Sequence, residues 1–322
     1  MRGLLWCGLV AGLAGWAAGS GSVQGRPGKV FILAGQSNME GHAHVRTLDA
    51  VGMDSATAPL LKEMQDHDGT PRVCERVWIA SLGSGNQERV GKLTVGFGAA
   101  GGGPKIGPEF TFGIFMEKFV DGPILIIKTA WGGKSLHTDF RPPSAGPYVF
   151  NEQQLEALRR AGRNIAEVKA QKDAQTGVYY RLMVGYVKRV LADIGRIVPD
   201  YDPRAGYEIA GFVWFQGWND MVDSGTYPNR GKAGGYDLYT RLLCDLIRDV
   251  RRDLGVPDLP FVIGVMGVGG PLDLSRPDRY TPIHHSFRQA MAAPAEMPEF
   301  RGTVAAVWTE RYWDTELHEL LK

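Results

Sequence analysis

Five short apolar runs constrain the fold of this chain more than any other feature. They are rich in β-branched residues, lie next to glycine or proline, and span residues 29–34, 123–128, 209–215, 260–266 and 303–308. Continuous apolarity, in contrast to alternation, is typical of strands buried on both faces of a parallel sheet. Apolar residues at helical spacing, at residues 179–198 and 236–254, separate some of these runs. The pattern predicts an α/β protein: a three-layer α/β/α sandwich with a five-stranded parallel sheet.

Three other segments complete this prediction. Residues 76–81 (RVWIAS) are predicted to add a hairpin strand, and residues 110–119 show a helical pattern. Residues 96–107 contain six glycines in twelve positions and are predicted to form a loop.

The N-terminus has the pattern of an export signal. Arg2 precedes an apolar run from Leu4 to Ala18, and small residues follow up to Ser20. The run holds about 15 apolar residues, fewer than the roughly 20 that a membrane-spanning helix needs. Residues 1–20 are therefore predicted to be a secretory signal peptide, and residues 27–322 the folded domain. We expect a secreted or periplasmic protein that has no membrane contact once the leader is removed.

Composition and cysteine spacing exclude several classes of function. The chain has 36 Lys and Arg against 35 Asp and Glu, a balance that argues against nucleic-acid binding. Cys74 and Cys244 have no metal-type spacing; they either form a disulfide or are two small buried residues. The His42-x-His44 pair has no nearby carboxylate or third histidine to suggest a metal site. We expect neither a metal nor a cofactor.

Polar residues follow the predicted strands where a ligand site is expected. In open parallel sheets, ligands bind outside the carboxyl ends of the strands. Ser37 follows the first strand and is either a nucleophile or a helix-capping serine. Asn219 and Gln216 follow the third strand, where they either donate hydrogen bonds to an oxyanion or form a plain turn. Lys128 stands where a phosphate loop needs glycine, so Gly132-Gly133-Lys134-Ser135 is not a nucleotide-binding motif.

Four motifs in order resemble a known family. They are Ala34-Gly-Gln-Ser37-Asn-Met, Gly107-Pro-Glu, Thr129-Ala-Trp-Gly-Gly-Lys-Ser and Trp214-Phe-Gln-Gly-Trp-Asn-Asp. Together they resemble the SGNH hydrolase superfamily, and within it the sialate O-acetylesterase/acetylxylan esterase group (carbohydrate esterase family 6), over about residues 29–317. The resemblance implies a flavodoxin-like α/β/α fold. It also implies a metal-independent serine esterase whose substrate is an acetylated carbohydrate.

The resemblance assigns roles to individual residues. Ser37 matches the nucleophile, Gly107 matches a glycine oxyanion donor, and Gln216 or Asn219 matches the donor of the third block. Trp218 stands where many relatives have glutamate. Four residues are interpreted as candidate substrate contacts, the tryptophans as sugar platforms and the cations as the rim of the cleft: Trp131, Trp218, Lys134 and Arg141. Trp313 is a further candidate platform.

A serine esterase also needs a general base, usually a histidine oriented by an acid. Members of the group carry both after the last strand, but this chain has no Asp-x-x-His frame there. We expect the family histidine to lie beyond Lys322, with His318 the best substitute among the residues present. Other histidines are worse placed: His67, His137, His284 and His285.

Three alternatives stay open at this point. The chain is either part of a longer, functional esterase or a homologue that has lost catalysis and acts as a carbohydrate-binding protein. A thioesterase or lipase of the same superfamily is the third interpretation, although the polar, glycine-rich loops do not suggest an apolar substrate channel. The sequence leaves the acetylated sugar and the oligomeric state open.

Overall fold

The computed structural model describes residues 28–320, and its centre is one β-sheet. In chain order the strands are β1 (Gly28–Gly35), β2 (Ala43–His44), β3 (Val77–Gly83), β4 (Glu88–Lys92), β5 (Lys105–Ile106), β6 (Ile124–Ala130), β7 (Tyr207–Phe215), β8 (Phe261–Val265) and β9 (Val304–Trp308). The main sheet has seven strands in the order β4-β3-β6-β1-β7-β8-β9, and β2 pairs with β5 in a separate two-stranded sheet.

Helices flank the sheet on both faces. They are α1 (Ser37–Glu40), α2 (Thr47–Val51), α3 (Ala58–Met64), α4 (Pro108–Phe119), α5 (Glu152–Arg160), α6 (Ile165–Gln175), α7 (Val178–Leu191), α8 (Trp218–Val222), α9 (Asp237–Leu254), α10 (Thr281–Ala292) and α11 (Thr315–Leu320). The sequence explains the ends of α9: Asp237 lies in its first turn, and Gly255 ends it in the left-handed conformation at φ 71°. None of the helices within residues 28–320 is long and apolar enough to cross a membrane.

The predicted fold class is confirmed, and the strand count is corrected. All five predicted strands are present and parallel, as β1, β6, β7, β8 and β9. Their order, 2-1-3-4-5 when these five are numbered along the chain, is that of flavodoxin. The sheet is wider than predicted because residues 77–83 form β3, which pairs with β6 in parallel and with β4 in an antiparallel hairpin.

Apolar clusters lie on both faces of the sheet. The larger one packs α7, α9 and α10 against residues such as Phe212, Ile263 and Trp214, and the smaller one packs α4 against Leu33 and Ile126. Both faces of the central strands are thus buried, as the continuous apolar runs predict.

The two edges of the main sheet differ in composition. The strand β4 carries Glu88, Arg89 and Lys92 among its five residues. The strand β9 has no charged residue, and both Ala305 and Val307 are exposed. One edge is therefore charged and the other apolar.

Both described cysteines are buried free thiols, so the disulfide alternative is not realised. Cys74 lies in the smaller cluster and Cys244 in the larger one. Burial raises the pKa of Cys74 to about 12 and the pKa of Cys244 to about 11. They act as small apolar core residues, not as nucleophiles. The predicted signal peptide at residues 1–20 lies outside the described residues.

Candidate active site

Ser37 and the segment after β7 meet at the topological switch point of the sheet, between β1 and β7, where the strand order reverses. The strands β1 and β7 are neighbours, and Gly35 at the end of β1 pairs with Phe215 at the end of β7. A Cβ atom at residue 35 would lie 2.2 Å from the Phe215 carbonyl oxygen, so only glycine allows this approach. Ser37 then begins α1 and Asn219 lies in α8, side by side at the switch point, where open α/β sheets bind their ligands.

The amide of Gln36 joins these two segments. Its Oε1 accepts hydrogen bonds from Gln216 Nε2 (3.0 Å) and from the backbone N–H groups of Gly217 (3.1 Å) and Asn219 (3.3 Å). Its Nε2 donates to Asn219 Oδ1 (2.9 Å) and to Ser37 Oγ (3.3 Å). Gln36 is fully buried, whereas Ser37 and Asn219 are partly exposed. The structure therefore brings the predicted nucleophile and the predicted asparagine donor together.

Gln216 lies behind this pair and is not available to a substrate. It is fully buried, and its Nε2 donates to Gln36 Oε1, to the Lys134 carbonyl oxygen (3.0 Å) and to Asp220 Oδ2 (2.7 Å). Both of its N–H hydrogens thus have acceptors inside the protein. Of the two donors that the sequence left open, the geometry favours Asn219.

The predicted oxyanion donor Gly107 is also engaged inside the protein. Its N–H donates to Glu109 Oε1 at 2.9 Å. Glu109 Oε2 in turn lies 2.5 Å from Lys128 Nζ, which also donates to the carbonyl oxygens of Glu40 (2.7 Å) and Phe97 (3.0 Å). In this arrangement Gly107 belongs to a buried ionic cluster that fixes the end of α1, so its role as an oxyanion donor stays a prediction.

A cleft lined by two tryptophans reaches the residue that follows Ser37. It consists of two cavities, of about 780 Å³ and about 440 Å³, that share Trp218, Val268 and Trp313 and therefore adjoin. Asn38, the residue after Ser37, lines the smaller cavity. Trp218 is 43% exposed, so a large aromatic face is open to a ligand. We call this the tryptophan cleft.

Two of the candidate histidines line the tryptophan cleft. His318 lies in its larger cavity with its ring 5.3 Å from that of Trp313, and His284 lines the same cavity. Burial and the nearby Arg288 guanidinium lower the pKa of His284. His285 faces a different cavity, and His67 is exposed in the turn after α3.

Three of the four candidate substrate contacts lie outside the cleft. Trp131 is 2% exposed and packs against Phe140 and Tyr179 in the core, so neither ring face is available to a sugar. Arg141 is buried and binds the carbonyl oxygens of residues 137, 145 and 146, which makes it a structural brace. Lys134 lies over the ring of Tyr179 at 4.4 Å and does not line the cleft. Of the four, only Trp218 lines the tryptophan cleft, so its role as a substrate contact stays a prediction.

His137 is part of a buried polar network, not a free base. Its Nε2 lies 3.1 Å from Asp223 Oδ2, and its Nδ1 lies 2.7 Å from Thr138 Oγ1. Asp220 accepts hydrogen bonds from the N–H groups of Leu136 (2.7 Å) and His137 (3.0 Å). These bonds hold the loop after β6 against α8, the helix that contains Asn219.

The bond to His137 predicts a measurable pH dependence of stability. Burial alone would raise the pKa of Asp223, but hydrogen bonds from His137 and Thr226 outweigh it and lower the pKa below its usual range. A lowered folded-state pKa stabilises the fold above the unfolded value of about 3.9, and this contribution is lost as the pH falls below it. The free energy of unfolding of Asp223→Asn should therefore change less between about pH 6 and about pH 3 than that of the wild type. Urea unfolding measures the difference; Asp49→Asn, at an exposed position of α2, should match the wild type.

The expectation that no carboxylate lies near the His42-x-His44 pair is wrong, because Glu40, two residues before His42, contacts it. His42 Nε2 lies 3.6 Å from Glu40 Oε2, while His44 Nδ1 accepts the Arg46 N–H at 3.2 Å. Within residues 28–320, no group of three or more His, Cys, Asp or Glu side chains is arranged to hold a metal ion.

The flavodoxin-like sheet, with a serine after its first strand and an asparagine after the adjacent strand, has the arrangement that the resemblance to SGNH hydrolases implies. The model of the carbohydrate esterase, sialic acid-specific acetylesterase family matches residues 27–298. The chain belongs to this family.

Two solved structures are similar to the chain at low sequence identity. One is a protein from Arabidopsis thaliana with 17% identity and a TM-score of 0.42, covering 88% of this chain and 86% of its own. The other is a novel carbohydrate acetylesterase from Xanthomonas citri with 14% identity and a TM-score of 0.44, covering 87% of this chain and 49% of its own. No curated protein matches the chain.

Proposed function

We propose that the chain hydrolyses O-acetyl esters on carbohydrates through an acyl-enzyme on Ser37. The observation that carries the proposal is the contact of Gln36 with both Ser37 Oγ and Asn219 Oδ1, which places a hydroxyl and an amide donor side by side. Family membership supports a carbohydrate ester as the substrate. The tryptophan cleft supports a sugar ring as the bound group, because aromatic faces offer large, rigid contact areas.

The proposed reaction has two steps. Ser37 Oγ attacks the acetyl carbonyl carbon while its proton passes to a histidine, and the sugar hydroxyl leaves with that proton. Water then attacks the acetyl-serine, the histidine takes its proton, and Ser37 is released together with acetate. The Ser37 N–H and the Asn219 amide hold the negative oxygen in both steps. Among the histidines of the chain, His318 is the proposed base because it follows the last strand, as the family's histidine does, and also lines the cleft.

One observation favours a second candidate function. Among the described residues, the hydrogen-bond partner of Ser37 Oγ is Gln36 and not an imidazole. A protein that binds acetylated sugars in the tryptophan cleft without turnover has the same geometry. Acetylated polysaccharide binding without acetate release is the result that this alternative predicts.

Acetate release by four proteins tests the proposal. Wild type, His318→Asn, His284→Asn and His285→Asn are assayed on acetylated xylan, an O-acetylated sialic acid and a chromogenic acetate ester. We expect wild-type turnover on a carbohydrate ester and a loss of about 10²–10⁴-fold in His318→Asn, the usual contribution of a general base. His285→Asn is the matched control, because that side chain lines another cavity. Wild-type rates equal to buffer on every ester, with retained sugar binding, would establish the binding protein instead.

A further inference from the structure

The side-chain amide of Gln36 is held in one orientation by the residues around it. Its Oε1 receives two backbone N–H groups, from Gly217 and Asn219, in addition to Gln216 Nε2. Turning the amide over would place its NH₂ group against these donors, and a buried donor without an acceptor costs about 1–3 kcal/mol. The Nε2 end of Gln36 is therefore directed at Asn219 and Ser37.

Asp220 fixes the orientation of the Gln36 amide indirectly, through Gln216. Its Oδ2 accepts Gln216 Nε2 at 2.7 Å, and its Oδ1 accepts the Tyr227 hydroxyl at 2.9 Å. Asp220, Gln216 and Gln36 are all fully buried. The hydrogen bonds thus run from the Asp220 carboxylate through Gln216 and Gln36 to Asn219 and Ser37. The first three residues are buried away from water, and the last two are partly exposed.

The orientation of Gln36 decides which end of the Asn219 amide faces a ligand. Because Gln36 Nε2 donates to Asn219 Oδ1, the oxygen is used inside the protein and the Nδ2 end is the one that the network leaves for an incoming acceptor. Without this bond the amide is free to rotate, and its oxygen would repel a developing oxyanion. The same Nε2 donates to Ser37 Oγ, so the serine O–H does not point at Gln36 and is left to donate to another acceptor, such as a base.

We infer that Gln36 is a positioning residue for the esterase reaction: it holds the Asn219 amide with Nδ2 directed at the oxyanion and orients the Ser37 hydroxyl. The inference rests on the proposed function. It adds a role for a side chain that neither the motif comparison nor the general chemistry of serine esterases assigns.

A double-mutant cycle tests whether Gln36 acts through Asn219. The proteins are wild type, Gln36→Met, Asn219→Ala and the double variant, assayed for kcat and KM on the chromogenic acetate ester. Loss of one oxyanion donor typically costs about 10²–10³-fold in kcat, and we expect each single variant to lose about 10²-fold with KM changed by less than about threefold. The double variant should be no slower than Asn219→Ala alone, because both remove the same donor.

Two further variants separate positioning from a purely structural role. Gln154→Met is the matched control, since Gln154 closes the capping box of α5 away from Ser37; it should keep the wild-type kcat. In Gln36→Glu, the neutral carboxylic acid can still donate to Asn219 Oδ1, but the ionised form cannot. The ratio of its kcat to the wild-type kcat should fall as the pH rises. This variant also preserves the shape of the side chain if Gln36→Met fails to fold.

The outcomes distinguish this inference from the proposed function. Wild-type turnover with an unchanged kcat in Gln36→Met, or losses that multiply in the double variant, overturn the positioning role and leave the esterase standing. Labelling of Ser37 by a fluorophosphonate probe gives a second readout of nucleophile activation, which Gln36→Met should slow. A wild type that neither releases acetate nor reacts with the probe overturns both.

Discussion

Replacing Ser37 with alanine is expected to lower kcat for acetate release by at least about 10³-fold while leaving sugar binding within about threefold of wild type. The methyl group cannot form an acyl-enzyme, and the oxyanion donors alone supply only residual catalysis. Acetate release gives kcat, and equilibrium binding of the acetylated sugar to the same variant gives the affinity. Both measurements are needed, because a loss of binding would indicate a damaged cleft.

Ser84→Ala is the control for this prediction. Ser84 follows β3 at the same edge of the sheet, is exposed, and accepts the Gly132 N–H at 3.2 Å instead of contacting the Gln36 network. It should keep at least about half of the wild-type kcat, because its hydroxyl contacts Gly132 and none of Ser37, Gln36 and Asn219. Equal rates in Ser37→Ala and wild type would exclude the proposed acyl-serine.

Lys128→Met is expected to destabilise the protein by about 3–5 kcal/mol, because it leaves the Glu109 carboxylate buried without its charge partner. Lys128 is 1% exposed and Glu109 is fully buried, and burial lowers the pKa of Lys128 despite the opposing attraction of Glu109. Chemical denaturation measures the free energy of unfolding. A loss of that size is a large fraction of the stability of a typical domain.

The double variant Lys128→Met/Glu109→Gln distinguishes charge burial from lost packing. The amide introduced at residue 109 can still accept the Gly107 N–H but carries no charge, so most of the lost stability should return. If the double variant is as unstable as Lys128→Met, the loss comes from the backbone carbonyls of Glu40 and Phe97 that Lys128 otherwise satisfies. The ion-pair explanation would then be wrong.

The sequence predicts the sheet well because burial on both faces leaves a local signal. Each of the five strands is visible as a continuous apolar run, and the flavodoxin-like order of the strands is what the family resemblance implies. The width of the sheet is not predictable in the same way. The segment that forms β3 has the pattern of a hairpin strand, and its parallel pairing with β6 depends on contacts between segments far apart in the chain, for example Ile79 with Ile126.

The site is predictable only in part, and the limits are physical. The position of Ser37 near Asn219 follows from two strand ends that share one sheet edge. A strand end does not show whether the next side chain turns into the core or into the cleft, so Trp131 is predicted at the ligand and lies in the core. Sequence reasoning misses Gln36 because its importance lies in bonds to residues 216–219. Its only local signal is a long polar side chain directly after a buried strand.

The two edge strands of the main sheet differ in how strongly they resist pairing with another chain. Charged side chains on an edge strand hinder pairing with another chain, and β4 carries three of them. The outer backbone groups of β9 lie beside Ala305 and Val307, where no charge within the strand opposes a second one. Of these two strands, β9 is therefore the one whose own side chains oppose pairing with a second chain less.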